Sequence, residues 1–166
     1  MMLRKRLLLL ALALLIATAC ENPFSDDDTD SSQNPQLHAN AQDFISVMNE
    51  HRVSQGLSAL IWHDTLGDVA QAHSEDMRNR NFFAHTNPDD VKFHERITAA
   101  GISFQAAGEN IAAGQTTGEA VFDAWINSPD GHKENIENAT YTHHGVGYVE
   151  DGNYWTHVFA RNPSMD

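Results

Sequence analysis

Cysteine occurs once in the 166 residues, at Cys20, so no disulfide can form within the chain and its stability must come from packing. Basic residues are also scarce: 10 Lys and Arg stand against 23 Asp and Glu. Arg4, Lys5 and Arg6 precede a hydrophobic stretch, and without them 7 basic residues face 23 acidic ones, a net of −16. A surface this acidic repels phosphate backbones, and the remaining cations are scattered along the chain, which excludes nucleic acid as a partner. The apolar run from Leu7 to Ile16 falls short of the roughly 20 residues that a permanent helical span needs. No internal repeat is present.

The front end is an address. A basic segment (Met1 to Arg6), the apolar run and the small residues Ala17-Thr18-Ala19 form a secretory leader over residues 1–19. These small residues end directly on Cys20, which resembles a lipobox, with Ala17 where Leu is commoner. The expected product carries an acyl chain on Cys20 as a membrane anchor; the alternative is ordinary cleavage that leaves a free thiol. Residues 20–38 then form a tether. Glu21 to Gln36 is acidic, polar and proline-bearing, with almost nothing to bury, so it is expected to be disordered and to span on the order of 20–25 Å.

The folded domain is expected over residues 39–166. Asn40 can cap a first helix whose Phe44, Val47 and Met48 share a face and which ends near Gly56. A second starts at Asp64 and turns Leu66, Val69, Ala70, His73 and Met77 inward, making His73 a core histidine with a satisfied hydrogen bond. Asn87-Pro88 marks a turn, after which Asp89 or Asp90 opens a third helix, with Phe93, Ile97 and Ala100 inward and Gly101 as its stop. A fourth begins near Thr117, buries Val121, Phe122, Trp125 and Ile126, and ends before Pro129. Val146 to Val149 and Tyr154 to Ala160 flank Glu150-Asp151-Gly152-Asn153 as a hairpin. In its second strand Tyr154, Thr156 and Val158 share one face, while Trp155, His157 and Phe159 share the other. Both faces are largely apolar, so this strand is expected to be central. The pattern predicts an α+β fold: a small, mostly antiparallel sheet covered by helices on both faces.

Three segments place ionisable groups in expected loops beside apolar or aromatic anchors. They are Asn81-Phe82-Phe83-Ala84-His85-Thr86-Asn87-Pro88, Gly108-Glu109-Asn110-Ile111, and the stretch from Trp125 through Ser128-Pro129-Asp130-Gly131-His132 to Ile136. With Tyr154-Trp155-Thr156-His157-Val158-Phe159 and Gly145-Val146-Gly147, these motifs in this order resemble the bacterial branch of the CAP superfamily (cysteine-rich secretory, antigen 5, pathogenesis-related 1; SCP-like). The resemblance runs from about Phe44 to Ala160. It implies a three-layer α-β-α sandwich with a surface cleft where histidines and acidic groups gather. Position by position, it puts His85, Glu109 and His132 in that cleft. The family's second histidine is Tyr154 here, its glutamine is His157, and the acidic group of eukaryotic members is Ser128.

Neutral imidazoles and a carboxylate converging in a cleft can hold a divalent metal such as zinc, with His85, Glu109, His132 and His157 as ligands. They can equally form a proton-coupled hydrogen-bond network that binds no metal. His157 or Tyr154 is expected at the cleft floor. His143-His144 reads as a solvated loop with rings pointing apart, His94 as an outward residue, and His38 as part of the tether.

Three functions compete. The favoured one is a membrane-tethered, extracytoplasmic binding module of the bacterial cell envelope for a lipid, glycan or protein ligand. The second is a metal-assisted hydrolase of peptide or cell-wall material using His85, Glu109 and His132. The third is a mainly structural envelope protein. Binding is favoured because the sequence offers no independent nucleophile and no metal motif with tight ligand spacing.

Overall fold

A computed structural model describes residues 37–165; the leader, Cys20 and the tether up to Gln36 lie outside them. Helix α1 (Ala39–Ser54) is capped by His38, whose Nδ1 accepts from the backbone N–H of Asn40 at 3.2 Å. His38, read as tether, therefore belongs to the fold, with its ring edge-on to Tyr148 at 4.8 Å. Gly56 follows α1 with φ +78°, the left-handed conformation that a helix end favours.

Strand β1 (Ile61–Trp62) leads into α2 (Asp64–Arg80), which buries Leu66, Val69, Ala70, His73 and Met77 as its periodicity predicts. The third helix, α3 (Phe93–Ala99), starts later than expected. Asp90 takes φ +64° and cannot begin a helix, whereas Glu95 accepts from the backbone N–H of Lys92 at 2.8 Å and holds the first turn there. Strands β2 (Ile102–Ser103) and β3 (Ala106–Ala113) follow. Next come α4 (Gly118–Ile126), capped by the hydroxyl of Thr117, and the short α5 (His132–Ile136). The chain ends in β4 (His143–Val149), β5 (Tyr154–Arg161) and β6 (Ser164–Met165).

The main sheet runs β1-β4-β5-β3, with β1 parallel to β4 and the other pairs antiparallel; β2 and β6 form a separate antiparallel pair. β5 is central, as the two-faced pattern required. Trp155 and Phe159 join Phe44, Met48, Val121 and Trp125 on one side, while Val158 and Ala160 join Leu66, Ala70 and Ile97 on the other. The result is an α-β-α sandwich, with α1 and α4 on one face and α2 and α3 on the other.

The glycines before the hairpin have a packing reason. A Cβ on Gly145 would lie 2.1 Å from the backbone nitrogen of Gly67, and one on Gly147 would lie 2.3 Å from that of Gln71. Only glycine lets α2 approach β4 this closely. His143 and His144 therefore sit on a strand, not in a solvated loop. Their rings do point apart, as alternation dictates, and His144 is fully buried.

His144 and His157 form a buried pair, with Nδ1 of the first 3.0 Å from Nε2 of the second. Burial pushes His144 down to about 3 and His157 well below the ordinary imidazole value. Both folded values lie below the unfolded one, so the unfolded chain takes up protons first as pH falls, and stability is lost from about pH 6.5 downward. At pH 4.5 the loss from His144 alone is expected to be about 3 kcal/mol. Urea unfolding at pH 7 and 4.5 checks this, and equal stability at both would contradict a neutral buried pair.

Candidate functional site

β3 is an edge strand, and its sequence AAGENIAA has none of the β-branched or aromatic density that usually marks a strand apart from Ile111. Pairing with β5 makes it one, with Glu109 opposite Val158 and Asn110 opposite His157. Expected in a loop, Glu109 instead projects from the sheet on the face that Val158 shares with α2 and α3. Gly108 before it is required, since a Cβ there would meet the Tyr141 hydroxyl at 2.5 Å. The outer edge of β3 is partly covered: the Trp125 indole N–H donates to the Ile111 carbonyl at 3.2 Å.

The Glu109 side chain is 1% exposed, yet it is charged in a setting that satisfies it. His85 donates from Nδ1 to Oε1 at 2.8 Å, and Arg96 donates from Nη2 to Oε2 at 2.6 Å. Arg96 also donates from Nη1 to the carbonyls of His85 and Val91, at 2.9 and 3.2 Å. One guanidinium from α3 thus neutralises the buried carboxylate and fixes the loop carrying His85. In the sequence Arg96 is one of the scattered cations. A buried carboxylate needs a charged partner, and Arg96 is next in sequence to Ile97, the inward residue of α3; that adjacency is the signal that could have found it.

His132 begins α5 across the strand edge, its Nδ1 hydrogen-bonded to the Ser128 hydroxyl at 2.8 Å. Its loop is tied to β3, because Asn110 donates to the His132 carbonyl at 3.0 Å and Asn135 donates to the Asn110 side chain at 2.8 Å. Burial, and to a lesser extent the neighbouring His85, lowers the affinity of His132 for a proton. His85 and His132 share a cavity of about 470 Å³, walled by Phe83, Ala112, Ala124 and Trp125. Each ring uses Nδ1 in the bonds described, leaving Nε2 for a ligand.

His157 and Tyr154 do not line this cavity. The register puts His157 on the α1 and α4 face, among Phe44, Trp125 and Phe159 and bonded to His144, so it is a core residue and not a cleft ligand. Tyr154 packs over the turn at Gly152. His73 lies beneath the His85 loop, donating from Nε2 to the Ala84 carbonyl at 3.0 Å, and so plays the core role expected of it. His94 is exposed. Among the described residues no group of three or more His, Cys, Asp or Glu is arranged to hold a metal ion. With both Glu109 oxygens engaged and a guanidinium against one of them, the His85, Glu109 and His132 set does not fit a three-ligand metal centre as folded.

An α-β-α sandwich with two histidines and a buried, arginine-bound glutamate at the edge of its sheet defines the class. The sequence profile of the Cysteine-rich secretory protein family, CAP, matches residues 45–160, and this chain belongs to that family. It is 40% identical over 144 residues to the protein YkwD of Bacillus subtilis (strain 168), covering 86% of this chain and 56% of YkwD. It is 38% identical over 117 residues to the membrane protein YlbC of the same organism, covering 70% of this chain and 33% of YlbC. The chain thus spans about half the length of the first relative and a third of the second. A crystal structure of an extracellular protein with an SCP domain from Bacillus anthracis superposes with a TM-score of 0.70 at 36% identity, covering 74% of this chain and 40% of that one.

Proposed function

We propose that this protein is an extracytoplasmic, membrane-tethered binding module and that the cavity between His85 and His132 is its recognition site. The observation that carries the reading is the commitment of Glu109: held by Arg96 and His85, its carboxylate orients an imidazole and is not free to act as a base or metal ligand. The ligand unit that suits the cavity is small and amphipathic. One apolar side would lie against Phe83, Ala124 and Trp125, and a polar edge would meet Nε2 of the two imidazoles. A lipid headgroup, a glycan unit or a peptide side chain offers that combination.

Native mass spectrometry of the protein purified from its own envelope tests the reading. Wild type is expected to retain an organic adduct that the His85→Ala/His132→Ala variant loses. Stoichiometric zinc with no organic adduct would support the competing metal-assisted hydrolase, and an adduct indifferent to both substitutions would contradict the assignment.

An extracytoplasmic setting is supported by the leader and by the Bacillus anthracis relative, which is described as extracellular. The tether is acylation of Cys20, motivated by the small residues before it. Metabolic labelling with a fatty-acid analogue should mark wild type and not Cys20→Ser; equal labelling of both would end the idea.

A further inference from the structure

A second cavity, of about 850 Å³, lies on the opposite edge of the sheet, between α1 and β1. Its walls are apolar, from Ile45, Val53, Leu60, Ile61 and Trp62, with Val53 and Ile61 59% and 60% exposed at its mouth. Asn49 bonds Leu60 in both directions, accepting from its N–H at 2.8 Å and donating to its carbonyl at 3.2 Å, which fixes one wall. The Trp62 indole N–H is held by Asp64 at 2.7 Å. The one charged lining residue is Glu50.

The remaining buried polar group in this groove is His144. It stands opposite Trp62 in the register and is 0% exposed. Its Nδ1 meets His157 on β5, its ring lines the groove edge-on to Trp62 at 5.7 Å, and its buried Nε2 has no hydrogen-bond partner among the described residues. Nδ1 of His157 also lacks one there. The neutral pair shares one proton between the rings, and its direction decides which outer nitrogen carries the other N–H. An orphaned donor in an apolar core is worse tolerated than an orphaned acceptor. The arrangement in which His157 donates to His144 places the outer N–H on Nε2 of His144, on the ring that lines the groove, where a ligand could satisfy it.

We propose that this groove is a second binding site, distinct from the His85–His132 cavity, for an uncharged alkyl chain bearing one hydrogen-bond acceptor, such as an alkyl ester or ketone, which Nε2 of His144 recognises. A plain alkane would fill the walls but leave the donor unsatisfied. A carboxylate would be desolvated with no cation in the lining and with Glu50 of the same sign beside it.

The groove carries its own reporter, since Trp62 lies in its wall, while Trp155 is buried and Trp125 lines the His85–His132 cavity. The full chain in lipid nanodiscs would be titrated with methyl 6-bromohexanoate, 6-bromohexanoate and 1-bromohexane, reading bromine quenching of tryptophan. The ester is expected to quench saturably and about tenfold more tightly than the bromoalkane, the ratio for one hydrogen bond. The carboxylate should bind weakest. Trp62→Phe should remove the groove's part of the signal, leaving only what Trp125 reports from the other cavity. His144→Phe should bring the ester down to the level of the alkane, and Ser46→Phe, at an exposed lining position, should block both without disturbing the histidine pair. His85→Ala/His132→Ala should leave the Trp62-dependent quenching in place, so the two sites fail independently. Equal binding of ester and alkane, a preference for the carboxylate, unchanged quenching in Ser46→Phe, or no saturable quenching would overturn the proposal.

Discussion

Replacing Arg96 by alanine is expected to destabilise the protein by about 3–5 kcal/mol at neutral pH, because it strands Glu109 as a buried charge. The side chains are 12% and 1% exposed, and the 2.6 Å bond between them is the shorter of the carboxylate's two contacts. The other partner, His85, is half-exposed and cannot replace a guanidinium. Adding Glu109→Gln to Arg96→Ala should recover part of the stability, the non-additivity expected of a coupled pair. Urea unfolding of the four proteins measures this, and strictly additive effects would show that the pair does not act as a unit.

Phe159→Ala should cost a similar amount, about 3–5 kcal/mol, for a different reason. The ring is fully buried on central β5, stacked on Tyr141 at 5.2 Å between centroids and 3.9 Å from the His157 ring. Removing it opens a cavity where helix and sheet meet, and the thermal midpoint should fall by on the order of 10–20 °C. An unchanged midpoint would mean that the strand faces are wrongly placed.

The helices and β5 were legible because burial imposes a period on them. Leu66, Val69, Ala70, His73 and Met77 repeat as one helical face must, and the apolar alternation on both sides of Tyr154 to Ala160 required a covered central strand. β3 was not legible: its alanines carry no strand preference, and β5 supplies what its own residues do not. β1, β2 and β6 are two residues each, too short to show any period. α5 spans five residues and follows Gly131 in the left-handed conformation, so no apolar stripe announces it. His144 was missed because glycines beside it suggested a turn, whereas Gly145 and Gly147 are there to admit α2.

At the site, the motifs identified His85, Glu109 and His132, and the fold brings all three to the edge of β3. Their motifs did not reveal how the charge on Glu109 is answered. Sequence spacing could not couple Arg96 to Glu109, because the contact depends on α3 lying against β3. The same limitation misplaced His157, whose face is set by register and not by its closeness in the family motif.

The most direct test of the recognition site is histidine NMR of the full chain on adding a lipid-and-glycan extract of its own envelope. Binding in the cavity predicts that ring signals of His85 and His132 shift together and saturably, while that of the exposed His94 stays in place. Saturable binding that leaves His85 and His132 unmoved would contradict the assignment of this cavity as the recognition site.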